Sequence, residues 1–138
     1  MTKISSARID MEGGRVDDSV LKSFAETLVG GAAGTNTTST YTVDIQTGNT
    51  YHLILNANCT FTFSNPTPAG TSCYITILLK QDGTGGWTAT WPATVVWPDD
   101  TAPTVTTTAS TWVLYHFFTV NAGKTWFGAA TNPSSVYT

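Results

Sequence analysis

Cys73-Tyr74-Ile75-Thr76-Ile77-Leu78-Leu79 sets apolar Cys73, Ile75, Ile77 and Leu79 at every second position. Side chains of an extended strand alternate between faces, so this spacing predicts a strand with those four on one buried face. After it, Gln81-Asp82-Gly83-Thr84-Gly85-Gly86 has the composition of a chain reversal. Before it, Ser64-Asn65-Pro66-Thr67-Pro68-Ala69-Gly70 reads as a loop, since two prolines cannot sit in a central strand. Further out, the same alternation predicts strands at Tyr41–Ile45, Tyr51–Leu55, Cys59–Phe63, Trp87–Trp91, Val95–Trp97, Thr111–Val120 and Thr125–Ala130. In the strand over 111–120, Trp112, Leu114, His116 and Phe118 share one side.

Turn signals recur every eight to twelve residues through this stretch, with no internal helix. That pattern predicts an all-β fold: an antiparallel β-sandwich, jelly-roll-like, with 8–9 strands. The absence of a fixed-period repeat argues against a propeller or a solenoid.

The composition agrees. The chain has 138 residues, the size of one domain. Only 11% are charged, against about 25% in an ordinary soluble domain. Threonine supplies 28 positions and aromatic residues 16, both suited to a pleated, half-buried surface. No apolar run is long enough to span a membrane. Met1-Thr2-Lys3-Ile4-Ser5-Ser6 lacks the apolar core of a secretory signal, which implies synthesis in the cytoplasm of the producing cell. Six scattered Lys and Arg leave no basic stripe for nucleic acid.

Nine of the fifteen charged residues fall within the first 26. Three parts are therefore expected: an N-terminal arm over 1–40, a nearly uncharged body over 41–130 and a loose tail over 131–138. In the arm, Asp17 or Asp18 caps a short helix over about 18–29, whose stripe is Val20, Leu21, Phe24 and Leu28. That stripe needs a surface to pack on, either the chain's own body or a neighbouring subunit. The stretch Gly30–Ser39 reads as a flexible spacer, which favours reaching a partner. The body has few charges to guard its edges and more large aromatics than one small core needs. Coverage by other subunits is the expected remedy.

Catalytic chemistry has little support. His52 and His116 sit inside strands with no motif around them, and no nucleophile elbow, Walker loop or zinc-ligand cluster is present. No cofactor or metal is called for; Asp99-Asp100 alone is a weak calcium signal. Cys59 and Cys73 fall on apolar faces and are expected as buried reduced thiols.

The stretch Gly48–Phe63 and the loop Pro66-Thr67-Pro68-Ala69-Gly70 resemble a recurrent phrase in tailed-bacteriophage virion proteins. The later order is similar too: Leu79-Lys80-Gln81-Asp82-Gly83-Thr84-Gly85-Gly86, then Trp91-Pro92-Ala93-Thr94-Val95-Val96-Trp97-Pro98. This resemblance implies a structural protein of the virion, a tail-fibre-like or head-decoration module, and no enzyme. The main reading is a capsid cement protein on the shell exterior, bridging copies of the major capsid protein. The alternative is a tail-fibre, collar or neck component with a receptor- or glycan-binding module, in which Trp87, Trp91 and Trp97 stack on sugars or line an interface. Either implies self-association, with a homotrimer expected from the resemblance.

Overall fold

The computed structural model describes residues 25–131. Val20, Leu21 and Phe24, with most of the expected helix, lie outside the described residues, as do residues 132–138 of the expected tail. Ten strands follow in order: β1 (Leu28–Val29), β2 (Thr35–Asn36), β3 (Thr40–Asp44), β4 (Thr50–Leu55), β5 (Cys59–Ser64), β6 (Cys73–Gln81), β7 (Ala89–Thr90), β8 (Val95–Val96), β9 (Trp112–Thr119) and β10 (Trp126–Thr131). A 3-10 turn at Pro98–Asp100 is the helical element among the described residues.

Seven strands form one sheet in the order β1-β4-β6-β9-β10-β8, with β2 also paired to β4. The other three form a second sheet, β3-β5-β7. The fold is all-β as expected, but its pairing corrects the antiparallel, jelly-roll reading. Only β6–β9 and β9–β10 run antiparallel. The pairs β1–β4, β2–β4, β4–β6, β3–β5, β5–β7 and β8–β10 are parallel. From β3 to β7 the chain crosses between the sheets at every step, so each strand pairs with the next strand but one, running the same way. Thr40 thus meets Thr60, Thr50 meets Thr76 and Cys59 meets Ala89. The laps lengthen along the chain, so this solenoid-like winding leaves no fixed period in the sequence.

The two sheets close on one core. The strand over 73–81 buries Cys73, Ile75, Ile77 and Leu79, as its alternation predicts. Tyr51, Leu53 and Leu55 of β4 and Val113, Tyr115 and Phe117 of β9 join them, facing Val43 and Phe61 of the small sheet. Phe63 bridges the layers, 4.9 Å from the Phe117 ring and 5.2 Å from that of Trp126. Each large apolar side chain removed from water in this way contributes about 1.5–3 kcal/mol.

The segment read as the end of a helix and a flexible spacer is strand and tight turn, tied to the body. Leu28 and Val29 extend the β4 edge beside Thr50 and Tyr51, and Thr35 and Asn36 continue it beside Leu53 and Ile54. Between them the chain folds over His52, whose Nδ1 lies 3.0 Å from the Gly31 carbonyl oxygen. Gly30 makes this turn feasible: its φ is +93°, and a Cβ there would sit 2.3 Å from the His52 carbonyl oxygen. Pairing with an open sheet edge satisfies backbone groups that a helix of one or two further turns would leave to water. At the other end Thr131, placed in the expected tail, completes β10.

Candidate interaction surfaces

The register lines up a row of exposed apolar side chains on the outer face of the large sheet. Tyr74 pairs with Phe118, Phe118 with Phe127, and Phe127 with Val96. They are 45%, 43%, 56% and 41% exposed. Leu28 lies on the same face through its pairing to Thr50, and Val120 follows two residues after Phe118. These six are the exposed large hydrophobics among the described residues, and an apolar patch of this kind marks a surface that is normally covered.

Glu26 stands at one end of the row. Its carboxylate accepts from the Thr50 hydroxyl at 2.6 Å and from the Tyr74 phenol. The bond from Thr50, then that from Tyr74, holds the carboxyl below its usual range. The same contact to Glu26 raises the Tyr74 phenol.

The outer face of the small sheet has the opposite character. Thr40, Thr60 and Thr90 lie side by side across β3, β5 and β7, and Thr42 beside Thr62, with hydroxyl oxygens 2.9 Å apart. All five are exposed. Threonine hydroxyls therefore solvate one outer face, while apolar side chains remain on the other.

The Gln81–Trp87 stretch that carries the resemblance is built for shape. Gln81 is buried, and its Nε2 donates to the carbonyls of Trp87 at 2.7 Å and Thr106 at 2.8 Å. One Asp82 carboxylate oxygen accepts from the Thr84 amide at 2.9 Å, the Gly85 amide at 2.8 Å and the Trp87 indole at 3.0 Å. The Gly85 amide is the main cause of the lowered Asp82 pKa. At Gly85, φ is +71° and a Cβ would lie 2.6 Å from the Thr107 carbonyl oxygen, so this turn requires glycine.

Trp87, Trp91 and Trp97 are half-buried and packed on the core. Trp91 stacks on Phe61 at 4.6 Å and lies 4.6 Å from Tyr115. Trp97 meets Phe117 edge-on at 5.6 Å. With Trp126 buried, four of the five tryptophans serve the interior. Trp112 lies on the outer face, under the Lys80 ammonium at 4.8 Å and beside His52 at 5.0 Å. A shallow groove of about 260 Å³ lies next to Trp87, between Thr88-Ala89 and Ala102–Val105.

Of the arm stripe, Leu28 alone is described, exposed at the sheet edge; Val20, Leu21 and Phe24 lie outside the described residues. The aromatic row Tyr74–Phe118–Phe127 was not singled out from sequence. Its signal is apolar residues on both faces of β6 and β9. His116 Nδ1 lies 3.2 Å from the Thr76 hydroxyl. No group of three or more His, Cys, Asp or Glu among the described residues is arranged to hold a metal ion. Cys59 and Cys73 are buried and unbridged, on different sheets, and burial pushes the Cys59 thiol up.

The family model described as "Putative phage tail fibre C-terminal domain" matches residues 36–126, from β2 to the first residue of β10. No curated protein and no solved structure matches the chain significantly. The match spans most of the chain and contains the Gln81–Trp87 turn, both threonine rows and three of the four members of the apolar row. The chain belongs to this phage tail fibre C-terminal domain family and is a structural protein of the tailed-phage virion.

Proposed function

We propose that this chain is a tail-fibre component of the phage particle, acting by contact and assembly and not by catalysis. The family match over residues 36–126 carries this reading and favours it over the shell-cement protein that the sequence reading put first. The geometry supports it: two sheets packed on one core hold turns such as Asp82–Trp87 and the strand-linking loop after Pro98. Those loops, with the threonine-lined groove beside Trp87, form the proposed contact region for host-surface glycans. Because Trp91 and Trp97 are committed to packing, hydroxyl and backbone groups of the groove would make that contact, not stacked indoles. Self-association as a trimer belongs to the same proposal.

Copy number tests it. Quantitative mass spectrometry of purified virions should give about six to a few dozen copies per particle, a number set by tail symmetry. Labelled antibody should decorate the tail. Hundreds of copies, with label over the head, would return the chain to the shell.

A further inference from the structure

We propose that copies of this chain meet through the outer face of the large sheet, with Lys80 of one copy against Glu26 of the next. This names the contact surface of the self-association proposed above, and it rests on that reading.

Apolar side chains extend beyond the exposed row. Tyr74, Phe118, Phe127 and Val96 line one end of the face. Across its middle Leu78 pairs with Leu114, and at the other end Ile54, Lys80 and Trp112 stand side by side. Leu78, Leu114, Ile54 and Trp112 are only partly buried. Area sets the size of the occupant. With 41–56% of each accessible, the six exposed side chains present on the order of 500 Å² of apolar surface, at about 150–200 Å² apiece. A standard interface covers about 800 Å² per partner, of which about 57%, roughly 450 Å², is apolar. The face therefore matches the apolar share of one protein–protein interface.

Charge identifies the occupant as another copy. Among the described residues, Lys80 is the cation carried by the strands of this face, and Glu26 is the anion at its rim, bonded to Tyr74. Tyr74 and Lys80 both belong to β6 and lie about 20 Å apart along it. A rotation axis running across the strands keeps each strand level with its own copy. It therefore brings Lys80 of one molecule to Tyr74 and Glu26 of the next, and Trp112 towards Phe118, since both lie on β9. Lys124, in the β9–β10 turn, is level with those two strands and takes no part in this pairing. Contacts of this kind close into a ring, and three copies complete the proposed trimer.

Native mass spectrometry and light scattering of the full-length protein test this. The native chain should be a trimer at micromolar concentration. Phe118→Ser/Phe127→Ser should be a monomer with unchanged far-UV circular dichroism. Glu26→Lys and Lys80→Glu should each weaken association about tenfold, because like charges then face each other. Combining them restores an opposite pair, so the double variant should associate about fivefold more tightly than either single one. A Phe118/Phe127 variant that stays trimeric would overturn the face while leaving the trimer intact. A monomeric native chain would overturn both, with the tail-fibre reading still decided by copy number. Losses that simply add in the double charge variant would overturn the Lys80–Glu26 contact and the arrangement built on it.

Discussion

Gln81 grips Trp87 from both sides: its Nε2 donates to the Trp87 carbonyl at 2.7 Å and its Oε1 accepts from the Trp87 amide at 3.2 Å. The same Nε2 reaches the Thr106 carbonyl, so one side chain joins β6 to two loops. Gln81→Leu keeps the volume but strands two carbonyls and an amide in a buried setting. A loss of about 2–4 kcal/mol in the urea unfolding free energy is expected. Gln81→Glu should also destabilise, because a carboxylate cannot donate to either carbonyl.

Asp82 gives the turn a pH dependence. Its carboxyl titrates below its ordinary value, held down first by the Gly85 amide. A depressed pKa stabilises the folded chain above the unfolded value of about 4, and this is lost as pH falls through the folded value. Tryptophan emission, reporting Trp87 through its indole bond to Asp82, should shift below about pH 4 in the native chain. In Asp82→Asn the oxygen acceptor survives without the charge, so the acid shift should flatten while the turn persists. Asp82→Ala should loosen the turn at every pH.

Tyr115 works in the opposite direction. It is buried, burial pushes its phenol up to about 12, and its Oη has no hydrogen-bond partner. A raised pKa gives stability that is complete below the unfolded value of about 10 and disappears as pH climbs through the folded one. Alkaline unfolding should set in above about pH 10 and move higher in Tyr115→Phe. At neutral pH the same substitution removes an unpartnered polar atom from the core. Its effect on thermal unfolding should lie between neutral and a gain of about 1 kcal/mol.

Trp91 is a packing residue. Its ring touches Phe61, Tyr115 and Phe117 at centroid distances of 4.6, 4.6 and 4.9 Å, bridging the two sheets. Trp91→Ala should cost about 2–4 kcal/mol in urea unfolding, since it leaves a hole that its aromatic neighbours cannot fill. Thr104→Arg, which obstructs the groove beside Trp87, should leave stability within about 0.5 kcal/mol and abolish any glycan-array signal. A retained signal would move glycan contact away from the groove.

Strand positions were legible because alternation survives whatever the partner. The expected strands at Tyr41–Ile45, Cys59–Phe63 and Thr111–Val120 overlie β3, β5 and β9 almost residue for residue. Direction was not legible, since period-two alternation reads the same for a parallel or an antiparallel neighbour. Nor was the inward face of β9. Trp112, Leu114 and Phe118 are as apolar as Val113, Tyr115 and Phe117, and only the layer packed behind Val113 decides between them. β1 and β2 escaped notice because two-residue strands carry no period, and their place is set by the open edge of β4. The stretch Gln81–Gly86 was singled out for its glycines and aspartate, whose bonds are now explicit. Three of the four members of the outer row, by contrast, were concealed inside strands whose buried faces drew the attention.

The crossing of the chain between its two walls frees its corners from its ladders. Registers such as Thr40 with Thr60 and Cys59 with Ala89 are fixed where strands lie flat, whatever length of polypeptide joins them. Corners such as the one from Asn65 to Ser72 can therefore gain or lose residues while both walls stay in place. A scaffold of that kind lets the loops at its rim take new lengths and shapes without redesigning what holds them up.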